Sequence, residues 1–225
     1  MADRPRTKSM VPLRWPWGIS LTTRILAVNI IAFLLLAGSL FYIDSYRRDL
    51  FAERFRLARV EAEITAAALS GRSLSDQRKL MARIGTMQRL RLRHYAADGQ
   101  LLSDSFALAP PSFTFADPSD DPPFEKTARI LDKAMDFVLG APPVPLHRET
   151  DLTHSAHWPE VHEALSTSST IALRRAALDR TPVINAATPV GNSGGALLIT
   201  RNARDITEFV RDARQTLAII VGGTL

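Results

Sequence analysis

Four of the five histidines, His147, His154, His157 and His162, fall in one short segment that also holds Glu149, Asp151, Glu160 and Glu163. Imidazole has an ordinary pKa of about 6.5 and gains charge as a compartment acidifies, so the chemistry this composition offers is proton uptake. Protonation would take the segment from net acidic to roughly balanced. The four histidines are therefore candidate pH-sensing residues. The same residues could equally be solvent-facing imidazoles whose titration changes nothing, and the sequence leaves both readings open.

Other chemistry finds little support. His157 and His162 are five apart, which on a helix separates them by about 140° around the axis and makes joint metal ligation awkward. GxxxxGK[ST], GxSxG, HExxH and CxxC are all absent, and the cysteine count is zero, which excludes disulfides and thiol catalysis. The "GNSGG" run at Gly191 lacks a strand-then-helix setting and reads as a hairpin turn. Asp98 reads as the turn residue before Gly99. No catalytic, cofactor-binding or metal-binding residues are expected.

The elements that would position such a segment begin with a membrane anchor. "ILAVNIIAFLLLAGSLFYI", Ile25 to Ile43, is interrupted by Asn29 and Ser39 alone among polar residues and meets the roughly 20 apolar residues a spanning helix needs. No small-x-small cleavage pattern follows Ile43, so an uncleaved span is expected rather than a signal peptide. The net charge is +5, and Arg4, Arg6, Lys8, Arg14 and Arg24 stand against Asp3 alone before the span. The basic excess is thus juxtamembrane, where it favours the cytoplasmic side and anionic lipid. Nucleic-acid binding is not expected. Leu217–Leu225 is uncharged and reads as the start of a second span, with the natural chain continuing beyond Leu225.

The layout is then a cytoplasmic basic tail (1–24), a first transmembrane helix (25–43), a sensor domain (44–215) and the start of a second transmembrane helix (216–225). Tyr46 to Ser70 reads as a helix leaving the membrane. Its Phe51, Phe55, Ala58, Ala62 and Leu69 fall at four and three spacings, with Thr65 completing a narrow seam. That seam suits a partner helix as a candidate dimer seam, or packs on its own domain. A second helix is expected from Asp76 to about Gln88. Leu90, Leu92 and His94 then alternate with Arg91, Arg93 and Tyr95 toward an Asp98–Gly99 turn, with Leu101 and Leu102 returning, which is a β-hairpin. Phe106–Asp121 reads as a mobile, partner-binding surface loop with exposed Phe113 and Phe115. Further helices are expected over 124–139 and in "WPEVHEAL". "TIALRRAALDRTPVINAATPV" and "GGALLITRN" read as strands. A closing helix puts Ile206, Val210 and Ala213 on a second candidate seam. The fold class is α+β, an antiparallel sheet flanked by helices.

The stretch "SLTTRILAVNIIAFLLLAGSLFYIDSYRRDLFAERFRLARVEAEITAAALSG" resembles the amino-terminal membrane segment of ChvG/ExoS-type bacterial sensor histidine kinases. "LRHYAADGQLLSDS", with Tyr95, Asp98, Gly99, Leu101, Asp104 and Ser105, is similar to a hairpin of that family. "WPEVHEAL", "ATPV" and "GALLITRNARDITEFV" are similar to its later segments. The resemblance implies a homodimeric bacterial inner-membrane receptor with a PAS-like periplasmic domain between two transmembrane helices, responding to acidity or to a periplasmic regulatory protein. It also implies a kinase core using ATP and Mg, located beyond Leu225, that acts on a response regulator. A chemoreceptor or cyclase input domain, or a two-span membrane scaffold protein, would share the same architecture.

Overall fold

The computed structural model describes residues 20–115, 140, 144–147, 153–191, 194–210, 212, 213 and 216. The expected basic tail, the 124–139 helix and nearly all of the second span lie outside the described residues. The chain divides into two units, Met1–Tyr42 and Ile43–Leu225.

The first unit contains the amino-terminal part of α1 (Leu21–Leu69). Its Ile25, Leu26, Val28, Ile31, Phe33, Leu34 and Leu35 are exposed around the whole circumference of the helix. A helix apolar on every side needs a surrounding apolar phase, and this one is long enough to cross a bilayer.

The second unit is a five-stranded antiparallel sheet with helices on both faces. The remainder of α1 ends at Leu69, where Gly71 takes a φ of +71°, the left-handed conformation that lets the chain turn off a helix. α2 (Leu74–Gln88) starts two residues earlier than expected because Ser73 caps it, accepting from the Asp76 N–H at 3.2 Å. β1 (Leu90–Tyr95) and β2 (Leu101–Asp104) form the expected hairpin, and Asp98 Oδ1 accepts from the Gln100 N–H across its turn at 3.0 Å. A short helix α3 (Ser105–Leu108), α4 (Pro159–Thr167), β3 (Ile171–Ala176), β4 (Pro182–Val190) and β5 (Gly195–Asn202) follow. The strand order is β2-β1-β5-β4-β3. Gly191 and Gly194, both at positive φ, flank the β4–β5 turn that "GNSGG" foretold. Helical geometry resumes over 204–210.

Side chains alternate between the two faces along each strand. Leu90 and Leu92, Ile184 and Ala186, and Leu197 and Ile199 face a core built with Phe51, Ala58, Ala62, Ala66, Leu69, Met81 and Ile206. Tyr95, Ala187, Ala196 and Leu198 face a second, smaller core with Trp158, Val161 and Ala164. The seam Phe51, Phe55, Ala58, Ala62 is therefore spent on the domain's own sheet. Ile206 joins the same core and Val210 is also buried, while Ala213 is half-buried. This corrects the dimer-seam expectation for Phe51, Phe55, Ala58, Ala62 and Ile206. The reason is physical: alanines at 58, 62 and 66 lie one helical turn apart, and their small side chains let the helix approach the strands closely. Arg201 ties the same helix to β5 through Glu61 at 2.7 Å.

Close approach predicts asymmetry between neighbouring alanines. Ala62→Leu should cost about 1–3 kcal/mol by overpacking, whereas Ala67→Leu on the exposed side should stay within about 0.5 kcal/mol of wild type. Chemical denaturation of the micelle-embedded chain, followed by near-UV circular dichroism, reads both.

Candidate functional site

The second face of the sheet carries charge where an ordinary core would carry aliphatic groups. β1 places Arg91 and Arg93 there, on the side opposite Leu90 and Leu92, and β3 places Arg175. Arg93 has no exposed surface. Its Nη2 donates to Thr200 Oγ1 at 2.9 Å, and its guanidinium carbon lies 4.3 Å from the centroid of the Trp158 ring. Arg175 lies over the same indole at 5.5 Å.

Each flanking arginine has a carboxylate. Arg91 meets Asp104 through Nε and Nη2, with the shortest contact at 2.7 Å. Arg175 meets Glu160 at 2.7 and 3.2 Å, and Glu160, itself with no exposed surface, also accepts from Asn185 Nδ2 at 2.6 Å. Asn185 stands opposite Thr200 in the β4–β5 register. A polar row therefore crosses the sheet from Arg93 through Thr200, Asn185 and Glu160 to Arg175.

Aromatic rings continue this face outward. Arg91 lies over Phe106 at 4.9 Å, and ring contacts run from Phe106 to Phe113 (5.0 Å), Phe115 (5.4 Å), His147 (5.4 Å) and Trp158 (5.4 Å). Phe113 and Phe115 are half-buried in this ladder. They are not the exposed partner-binding rings expected of the loop, and its residues 116–121 lie outside the described residues. The segment around His147 is pinned to the edge of β3, where the His147 N–H donates to the Ala176 carbonyl at 2.7 Å.

The four candidate histidines play different parts. His147 is buried in the ladder. His154 Nδ1 accepts from the Ala156 N–H at 3.1 Å and its Nε2 lies 3.1 Å from the Asp98 carbonyl, which fastens it to the β1–β2 turn. His157 and His162 are exposed, the latter on α4. The fifth, His94, is 4% exposed on β1, and burial lowers its pKa. Burial likewise raises the Tyr95 pKa, against the opposing influence of Arg93 and Trp158, and lowers that of Arg93. Among the described residues, no group of three or more His, Cys, Asp or Glu could hold a metal ion.

Sequence reasoning missed Arg93, Trp158, Glu160, Asn185, Arg175 and Thr200 as a set. The signals present were an Asn inside a strand and a Trp immediately before a helix. Neither names a partner.

Removing Glu160 as Glu160→Ala leaves Arg175 buried and unpaired, and should cost about 3–5 kcal/mol, with Glu160→Gln costing less. Urea denaturation at neutral pH measures both. For His94, the unfolded state takes up a proton more readily than the folded one. Its contribution is therefore fully present above about pH 6.5 and is lost as pH falls toward its lowered native value, by at most ~1.4 kcal/mol per pH unit. His94→Gln should flatten the fall in stability between about pH 7.5 and 5.5.

Two family models match the chain. One described as a sensor N-terminal transmembrane domain matches residues 18–77, and one described as a stimulus-sensing domain matches residues 74–178. β4 and β5 lie beyond both matches. A search among curated proteins gives no match. The exposed apolar helix falls in the first match, and the hairpin, α4 and the start of the charged face fall in the second. The chain therefore carries a segment similar to a sensor N-terminal transmembrane domain followed by one similar to a stimulus-sensing domain.

Proposed function

We propose that this chain is the signal-input region of a ChvG/ExoS-type sensor histidine kinase. The protein sits in a bacterial inner membrane with the sensing domain in the periplasm and acts as a homodimer within a two-component system. The observation that carries the reading is that the helix containing the apolar segment, α1, also supplies one wall of the sensing domain. The five-stranded antiparallel sheet with helices on both faces supports a PAS-like assignment. ATP and Mg chemistry, and the phosphorelay to a response regulator, belong to a kinase core. This chain's part is to bias that core by moving membrane helices, in response to acidity or to a periplasmic regulatory protein.

A dimer needs a contact surface, and α1 has one on the side away from the sheet. Leu57 (42% exposed), Val60 (45%) and Ile64 (65%) follow three and four spacings, with exposed Ala67 continuing the series. Two copies anchored in the same membrane would align these stripes in parallel.

Cysteines at Leu57, Val60 and Ile64 should cross-link between subunits in membranes, while cysteines at Phe51, Ala58 and Ala62 should not, because the sheet covers them. Equal cross-linking of both sets would remove this seam. The kinase reading is tested by joining the chain to a histidine-kinase core and following autophosphorylation from labelled ATP. Ile64→Glu and Glu160→Ala should both change the rate. A rate indifferent to both would overturn the input role.

A further inference from the structure

Two exposed rings stand just beyond the apolar stretch of α1. Tyr46, 39% exposed, lies three residues past Ile43 on the same helix, and at about 1.5 Å per residue that is about 4.5 Å further along the axis. Phe209, 49% exposed, comes from the closing helical stretch over 204–210, and its ring centroid lies 5.4 Å from that of Tyr46. Its exposure is not that of a loose end. Ile206 and Val210 on the same stretch are buried, and Asp205 is ion-paired with Arg54 of α1, so the backbone that carries Phe209 is held against the domain. The charges beside the rings cancel. Asp44 pairs with Arg47 and Arg48 at 2.7 Å each, and Asp49 is exposed, so these four charged residues of α1 sum to zero.

We propose that Tyr46 and Phe209 form a membrane-seating surface, with both rings lying in the phospholipid headgroup layer and lipid as the occupant of the exposed patch. The patch follows directly on the apolar stretch of the same helix, whose exposed circumference already requires lipid around it. The headgroup layer adds about 5–7 Å on each side of a hydrocarbon core roughly 30 Å thick, and with the apolar stretch filling the core Tyr46 falls within that depth. Aromatic rings gather at this level because apolar surface meets water there. Since the neighbouring charges cancel, the seat does not depend on anionic lipid. Its consequence is that one lipid layer fixes the depth of α1 and of the closing stretch together. The proposal rests on the membrane span and not on the kinase reading.

The test uses the full chain, which has no cysteine, in phosphatidylcholine vesicles with a nitroxide attached at Phe209→Cys. A second chain carries the nitroxide at Met87→Cys, an exposed position on α2, as the aqueous reference. Relaxation by oxygen, which concentrates in lipid, and by a neutral, water-soluble nickel chelate is measured for both. At 209 the nickel effect should be largely lost and the oxygen effect raised relative to 87. Adding phosphatidylglycerol should change neither. A nickel effect at 209 equal to that at 87 would overturn the seat, and so would protection from nickel and oxygen alike, because protein would then cover the ring. Protection that appears only with phosphatidylglycerol would overturn it as well, since the attraction would be electrostatic. Phe209→Trp keeps a ring at the position and serves where the labelled chain does not fold. In a chain with Trp15→Phe and Trp17→Phe, its added emission over that of Trp158 should be quenched by brominated phosphatidylcholine and spared by aqueous iodide. The reverse pattern would remove the rings from the headgroup layer and end the proposal.

Discussion

A fully buried arginine laid on an indole, Arg93 against Trp158, sets the terms for half of this domain. Strand β1 alternates leucine with arginine, so a sheet that buries both faces must put guanidiniums on one of them. Such a face cannot be closed by an aliphatic helix, because each desolvated charge needs a partner or a polarisable surface. α4 meets that demand. Trp158, immediately before the helix, covers two arginines, and Glu160, in its first turn, reaches Arg175 and Asn185. Val161 and Ala164, on the same side of the helix, then pack conventionally against Ala187 and Leu198.

The opposite face follows ordinary hydrophobic rules, and its elements were legible in the sequence. The hairpin was readable because period-two alternation and an Asp-Gly turn are local signals, and the Asp98 turn behaves as its chemistry dictates. α1 was readable as a helix for the same reason. What its stripe touches was not readable. Phe51, Ala58 and Ala62 on one side and Leu57, Val60 and Ile64 on another both obey three and four spacings, and periodicity does not say which side meets a sheet in the same chain. The small side chains of the first set favour close packing on strands, and that clue is visible once a sheet is known to be there.

The charged row was illegible for a different reason. Glu160 lies 15 residues from Arg175 and 25 from Asn185, and Arg93 is 107 from Thr200, so no local pattern connects them. Read alone, Arg91 and Arg93 look like the solvated side of a half-exposed hairpin. The histidine cluster misled in the opposite direction: proximity in sequence suggested one titrating group, while the fold gives His147 to an aromatic ladder, His154 to a turn and leaves His157 and His162 exposed. Burial lowers the pKa of His94, which stood outside that cluster.

The two faces share their strands, and this limits how one side of the domain can inform the other. On β5, Leu197 and Ile199 pack toward α1 while Ala196, Leu198 and Thr200 pack toward α4 and the polar row. A slip of one residue would exchange these sets and expose arginine to the aliphatic core, so the register is fixed by both faces at once. A change at Trp158 therefore cannot reach α1 by strand sliding. What remains is a change in sheet twist or a rigid displacement of helices on a constant register, with Arg201–Glu61, Arg174 over Phe51 and the 58, 62, 66 alanine contact among the points where the sheet holds α1. Movement of that kind keeps every backbone ladder bond while altering how α1 lies, so its cost falls on side-chain contacts rather than on the sheet itself.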